Sequence, residues 1–369
     1  MERLTARYTR PAMTHVFVAP HPDDVALSCG GLIHSLRELG QTVTIITVFS
    51  GDGASGDLTS YQREALGFGS KAMWPATEAF NRAAIAADWP SAALVPSWAA
   101  DADRLDATQT DADQAAKRFW QRSSWYRRAS IRNESLADQP IADDMPTQGA
   151  FHTDDVTDAA AAGDLMARRR LEDERFAYFA EASIVFLDLP DAVFRGYEGD
   201  DELLGSPRPD DDAPFEILRR EIARLEPQKV YLPLGVGGHV DHQLCRDVGI
   251  RMLQEGRRWV MPGADYAGIV TFYEDFPYAW WNDFRTVDDL PGKPLADLPT
   301  DVGVISEFAD VTDQLEKKIM GISLYDSQIE RLFDGKRQMA DAVRSYGVAM
   351  AQLGEVDGQA ERYWASGRV

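Results

Sequence analysis

The chain has 369 residues, of which 44% are hydrophobic and 27% are charged, and this balance is typical of a soluble globular protein. Its 60 acidic residues outnumber its 38 basic residues, so the formal charge is −22, which disfavours nucleic acid and anionic membranes as partners. Only two cysteines occur, and no apolar segment follows the basic N-terminus, so we expect a cytoplasmic protein without a disulfide framework.

The first predicted elements form a strand–helix–strand unit. Thr14–Ala19 is a short β-rich run, and Val25, Cys29 and Leu32 recur at helical spacing in the segment that follows. Thr42–Phe49 is a second β-rich run. Because a helix connects the two strands, we expect them to lie parallel in one sheet.

The same alternation of helix and strand resumes in the second half of the chain. The pattern predicts a helix over residues 168–182, strands over 184–189, 230–232 and 269–273, and helical segments that begin at Pro214 and include Leu244. We therefore predict an α/β fold, a Rossmann-like, mostly parallel, doubly wound sheet flanked by helices. We assign residues 1–369 to a single domain and interpret 300–369 as a helical C-terminal part packed on the core.

Residues 55–165 do not follow this alternation. They contain five of the nine tryptophans, and no lysine or arginine occurs from residue 133 to residue 167. The composition favours an insertion that packs on the sheet domain and is partly mobile. A lid over a ligand site, with the tryptophans as stacking surfaces, is the alternative interpretation.

Two short segments rich in histidine and aspartate follow predicted strands, His-Pro-Asp-Asp at 21–24 and His-Val-Asp-His at 239–242. The carboxyl ends of parallel strands line the ligand crevice of such a sheet, so the two segments can meet there. His21 and Asp24 share one side of a helix start and can bind one ion with His242. Two imidazoles and one carboxylate are typical of a catalytic zinc site, and they also suit Fe²⁺.

The other polar residues of these segments, Asp23, His239 and Asp241, are left as acid–base groups beside the ion. The simpler interpretation is that each segment only begins a helix, with its aspartates balancing the helix dipole. For one segment alone the two interpretations would weigh equally. Two matching segments, each at a strand end, favour the metal site.

The two segments resemble the signature motifs of the PIG-L/LmbE-type zinc deacetylases, which remove N-acetyl groups from N-acetylglucosamine-containing molecules. Softer similarity lies at residues 169–172, 186–191 and 273–278. The resemblance covers most of the chain outside 55–165 and implies zinc ligands at His21, Asp24 and His242.

The resemblance also implies roles for five further residues. Asp23 matches the general base, and His239 matches the residue that stabilises the oxyanion. Asp241 matches the carboxylate that orients His239, and Arg169 and Asp191 match positions that contact the sugar. The implied partner is a small-molecule amino sugar or glycoconjugate. The sequence leaves open whether the protein forms a homo-oligomer.

One position departs from the family pattern. Some family members have a tyrosine two residues before the first histidine of the second motif, where this chain has Gly237.

Several other functions stay open. The same centre could hydrolyse another amide or an ester. The glycines at 51–56 match a dinucleotide-binding pattern, but they follow the second strand rather than the first. A non-catalytic carbohydrate-binding module is the remaining alternative.

Overall fold

The computed structural model describes residues 12–51, 53, 58–66, 158–255, 266–281, 295 and 297–369. Seven strands of these residues form one sheet. The strands are β1 (Thr14–Ala19), β2 (Thr42–Thr47), β3 (Ser183–Phe186), β4 (Lys229–Pro233), β5 (Val270–Tyr273), β6 (Val302–Asp310) and β7 (Ala360–Arg368). Their order across the sheet is β3-β2-β1-β4-β5-β7-β6. The first five are parallel, and β7 pairs antiparallel with both β5 and β6.

Helices connect and flank the strands in the described residues. They are α1 (Asp24–Glu38), α2 (Ser60–Ala65), α3 (Asp158–Phe179), α4 (Asp200–Leu203), α5 (Ala213–Leu225), α6 (Val240–Glu255), α7 (Tyr278–Trp281), α8 (Leu315–Ile322), α9 (Asp326–Phe333) and α10 (Lys336–Leu353). Among them, no helix combines the length and the apolarity that crossing a bilayer requires.

The predicted fold class is confirmed. Strand β1 has the predicted bounds, and its residues Val16, Phe17 and Val18 are fully buried because helices cover both faces of a parallel sheet. Other boundaries differ more: α3 begins ten residues before the predicted position 168 and ends three residues before the predicted position 182.

The prediction for residues 300–369 was partly wrong. Helices α8, α9 and α10 lie within 315–353, but strands β6 and β7 lie at the two ends of this region. The segment 360–368 is a strand because its backbone pairs with β5 and β6 on both sides. Short-range periodicity does not report pairing between segments this far apart in the chain.

The predicted insertion at 55–165 falls mostly outside the described residues. Of it, the structure describes position 58 through α2 to residue 66, and the first part of α3. The packed insertion therefore stays a prediction, with the lid as its alternative.

The sheet topology determines where a ligand site can form. Strands β1 and β4 are parallel neighbours, with Val16 opposite Val230 and Phe17 opposite Tyr231. From β1 the successive strands β2 and β3 are added on one side, and from β4 the next strand, β5, is added on the other side. The direction in which strands are added therefore reverses between β1 and β4. In open α/β sheets this reversal opens a crevice at the carboxyl ends of the two strands.

Candidate active site

The first predicted motif lies in the turn between β1 and α1. Helix α1 begins at Asp24, and Asp23 immediately before it has φ 116° and ψ −34°, a conformation that residues with a Cβ rarely adopt. Holding a non-glycine residue there costs on the order of 1–3 kcal/mol, and such strain is concentrated at functional sites. The turn is nevertheless well bonded, because the Asp24 carboxylate accepts the His21 backbone N–H at 2.7 Å.

The three predicted ligands come together at the crevice. The Oδ2 atom of Asp24 lies 3.4 Å from His21 Nδ1 and 3.4 Å from His242 Nε2, which the start of α6 supplies. Ligand atoms about 2.1 Å from a tetrahedral zinc ion lie about 3.4 Å apart. All three residues are buried, and the spacing of their ligand atoms fits one divalent cation.

Each of these histidines is held by a carboxylate at its other ring nitrogen. His21 Nε2 donates to Asp241 Oδ2 at 2.9 Å, and His242 Nδ1 donates to Asp275 Oδ1 at 2.7 Å. These bonds leave Nδ1 of His21 and Nε2 of His242 to face Asp24. Among the described residues, the buried Nε2 of His242 has no hydrogen-bond partner. Histidines that bind metals typically have this carboxylate support.

A second group of possible ligands overlaps the first. Atoms of His21, His239 and Asp241 also lie within 4.8 Å of one another. The Asp241 carboxylate, however, already accepts hydrogen bonds from His21 Nε2, the Ala192 backbone N–H and Arg195. Its acceptor atoms are occupied and it is fully buried, so the group that includes Asp24 is the better cation site.

The electrostatics of the cluster favour a bound positive charge. Burial by itself would lower the pKa of His21, but hydrogen bonds to Asp24 and Asp241 raise it to about 10. The nearby carboxylate of Asp191 acts in the same direction. The cluster therefore holds a positive charge at its centre, which can be a proton on His21 or a metal ion at the same atoms.

The predicted base lies beside this cluster. Burial and the neighbouring Asp24 carboxylate raise the pKa of Asp23 to about 7. Arg169 opposes this shift, and its Nη2 lies 3.9 Å from Asp23 Oδ1. A carboxyl group with a pKa near neutrality can accept a proton and later return it.

The lowered pKa of His239 gives it a neutral ring near pH 7, so the group that the resemblance assigns to the oxyanion differs from a charged imidazolium. Burial, together with the positive charge of His21, lowers its pKa to about 3. Its Nδ1 accepts the Asp241 backbone N–H at 3.2 Å, so the proton of the neutral ring lies on Nε2. The predicted contact of Asp241 also differs, because its carboxylate binds His21 and Arg195 rather than the His239 ring.

A pocket opens over these residues, and both predicted sugar contacts line it. Arg169 is buried, and its Nε atom has no hydrogen-bond partner among the described residues. Asp191 Oδ2 lies 3.5 Å from His21 Nε2. The polar lining residues outside the two motifs are Arg169, Asp191, Tyr278, Gln328 and Arg331.

Sequence reasoning missed the residues that support the motifs. Asp275 lies in the softly similar segment 273–278, so a signal for it existed but pointed to no role. Arg195 lies in a segment without any motif. Tyr278 was also missed, and it packs on Gly237, where an added Cβ would lie 3.0 Å from the Tyr278 Cβ.

The glycines that matched a dinucleotide-binding pattern have a packing explanation. A Cβ at Gly51 would lie 2.4 Å from the Asp188 carbonyl oxygen, and one at Gly53 would lie 2.5 Å from Pro190 Cβ. Gly51 also forms a parallel bridge with Pro190. The close approach of the segment after β3 thus accounts for glycine at both positions.

Comparisons of the sequence with known proteins find two matches. The family described as GlcNAc-PI de-N-acetylase, PIG-L, matches residues 16–80, which include the first motif. A 2′-N-acetylparomamine deacetylase from Streptomyces fradiae is 31% identical over 180 residues, covering 46% of this chain. That match spans 57% of the relative's own length.

Solved structures share the fold across nearly the whole chain. The zinc-inhibited form of a teicoplanin deacetylase covers 96% of this chain and 98% of its own, with 17% identity and a TM-score of 0.54. The A40926 pseudoaglycone deacetylase covers 97% of this chain and 98% of its own, with 19% identity and a TM-score of 0.50.

Proposed function

Since this chain belongs to the PIG-L/LmbE-type family, we propose that it is a metal-dependent hydrolase that removes an N-acetyl group from an N-acetylglucosamine-containing small molecule or glycoconjugate. One observation carries the proposal. Two histidines, each held by a carboxylate, lie with Asp24 around one point, and the Asp23 carboxyl lies in the same pocket. A site that only bound metal would need no carboxyl group with a pKa near neutrality beside it.

The metal centre would be formed by His21, Asp24 and His242, with zinc as the expected ion and Fe²⁺ as the alternative. A divalent ion held there would lower the pKa of a water molecule and polarise the acetyl carbonyl. The orphaned Nε2 of His242 and the 3.4 Å spacing of the ligand atoms support this assignment.

Asp23 is the proton acceptor of the proposed reaction. Its pKa of about 7 lets it take a proton from the attacking water and pass it to the leaving nitrogen. The attack forms a bond from the water oxygen to the acetyl carbon and breaks the bond from that carbon to nitrogen. The products are acetate and a free amine.

His239 supplies a hydrogen bond to the carbonyl oxygen as charge develops there. Its Nε2–H is the available donor, because Nδ1 accepts the Asp241 N–H. A neutral donor in a buried pocket still stabilises an oxyanion, since its dipole is already oriented. Arg169 and Asp191 line the same pocket, and we assign them to sugar hydroxyl groups.

The test measures acetate released from a panel of N-acetylated amino sugars, beginning with 2′-N-acetylparomamine and N-acetylglucosamine glycosides. We expect zinc-dependent acetate release that chelation abolishes and added zinc restores. Asp23→Ala should keep its zinc but lose most turnover, by about 10²–10⁴-fold. Full turnover in this variant, or no acetate from any amide in the panel, would contradict the proposal. A matched panel of acetyl esters separates amide hydrolysis from ester hydrolysis.

A further inference from the structure

Arg195 is a buried arginine outside both motifs that reaches the candidate metal site through one intermediate residue. It follows the short 3₁₀ helix Ala192–Phe194, and its side chain is 10% exposed. Its Nη2 donates to Asp241 Oδ1 at 2.6 Å, and the other oxygen of Asp241 accepts from His21 Nε2 at 2.9 Å. Arg195, Asp241 and His21 thus form a continuous chain of hydrogen bonds.

The position of Arg195 is fixed from several sides. Its Nε and Nη2 both donate to the Asp211 carboxylate, and its Nη1 donates to the Pro190 carbonyl at 2.8 Å. The guanidinium carbon lies 4.5 Å from the centre of the Phe49 ring. A guanidinium held this firmly determines where the Asp241 carboxylate can lie.

The same loop holds Asp241 at a second point. The Ala192 backbone N–H donates to Asp241 Oδ2 at 3.1 Å, so the segment 192–195 binds both carboxylate oxygens. Asp241 then has no free orientation, and its hydrogen bond fixes the ring of His21. The ring is held with Nε2 protonated and with Nδ1 directed toward Asp24.

We propose that Arg195 is a positioning residue of the metal centre, which holds the Asp241 carboxylate in the orientation that makes His21 a ligand. This inference rests on the proposed function only in taking His21, Asp24 and His242 as the metal site. It assigns a role to the segment 192–195, which lies outside every segment that resembles the family. The loop acts through hydrogen bonds to Asp241 and contributes no ligand of its own.

The experiment measures zinc affinity by competition with a chromophoric chelator, which reads metal binding without activity. We expect Arg195→Gln to weaken zinc binding by about 10–100-fold, because outer partners of metal ligands contribute at this scale. Arg195→Lys keeps the positive charge and should recover part of the loss. The matched control is Arg224→Gln, which removes an exposed arginine paired with Glu221 on α5 and should leave zinc affinity unchanged.

A double-mutant cycle tests whether Arg195 acts through Asp241. If it does, Asp241→Asn and Arg195→Gln/Asp241→Asn should bind zinc equally weakly, since the second change has nothing left to disrupt. Additive losses, or wild-type affinity in Arg195→Gln, would overturn the inference. If Arg195→Gln does not fold, two other variants decide the question. They are Arg195→Lys and the double variant, in which no Asp241 carboxylate is left unpaired.

The two proposals fail in different ways. Absence of zinc binding in the wild-type chain, or unchanged binding in His242→Ala, would refute the metal site itself. Zinc binding that depends on His242 but not on Arg195 or Asp241 would refute only the inference about Arg195.

Discussion

At the scale of single residues, the strained backbone of Asp23 links stability to function. The residue occupies a conformation with φ 116° that glycine tolerates and alanine does not. We predict that the free energy of unfolding is higher for Asp23→Gly than for Asp23→Ala by roughly 1 kcal/mol, so that Asp23→Gly unfolds at the higher temperature. Both variants should lose turnover. Thermal unfolding of the two variants under the same conditions checks this. Equal stability of the two variants would show that the conformation at residue 23 carries no strain.

At this scale the sequence could predict which residues converge in the crevice, and it could not predict the residues that support them. His21 and Asp24 are three positions apart, and a local spacing at a helix start is visible in a sequence. Asp275 and Arg195 reach the site only because the sheet brings distant segments together. The similarity at 273–278 marked the segment of Asp275 without a role, and no pattern marked Arg195. The contact of Asp241 was predicted incorrectly for the same reason, since its carboxylate meets two residues far from it in the chain.

At the scale of elements, the turn after β4 packs directly on α7. Gly237 has φ +92°, and a Cβ there would lie 3.0 Å from the Cβ and Cγ atoms of Tyr278. Tyr278 lines the pocket, and its ring meets that of His242 edge-on at 5.8 Å.

We predict that Gly237→Ala displaces Tyr278 and lowers the rate of acetate release by at least tenfold, while zinc affinity stays within about twofold of the wild type. A positive φ and a side-chain clash act together at this position. The matched control is Gly40→Ala, which also has a positive φ but no atom within 4 Å of the added Cβ. If both variants lose the same activity, backbone strain rather than the contact with Tyr278 explains the effect.

Elements were predicted well where their signal is local. Strand β1 and helix α1 have the periodicity that their burial requires, and they occur where expected. Strand β7 was missed because its position depends on pairing with β5 and β6. Glu274 directly follows β5 and also binds β7, because it accepts a hydrogen bond from Trp364 Nε1 at 3.0 Å and forms an ion pair with Arg362.

At the scale of the whole molecule, acid should destabilise the fold through its buried neutral histidines. Burial and the charge of Lys317 lower the pKa of His34 to about 4, although Glu38 and Glu361 oppose the shift. In the unfolded chain this histidine has a pKa of about 6.5. The unfolded state therefore binds more protons between pH 6.5 and pH 4, and the contribution of His34 to stability is lost as the pH falls through this range.

We predict that His34→Gln unfolds with a weaker pH dependence than the wild type between pH 7 and pH 4.5. Denaturant unfolding of both proteins across this range, with zinc present throughout, checks the prediction. His34 lies on α1 ten residues after Asp24, outside the proposed metal site, so the difference between the two curves isolates this group. Parallel curves would show that His34 takes up protons equally in the folded and the unfolded state.

Anomalous diffraction at the zinc edge would show whether His21, Asp24 and His242 hold the metal. In crystals grown with zinc, we predict one peak about 2.0–2.2 Å from His21 Nδ1, His242 Nε2 and a carboxylate oxygen of Asp24. Asp241 and Asp275 should keep their hydrogen bonds to the two rings. A peak bound instead by His21, His239 and Asp241, or no peak in this crevice, would contradict the account.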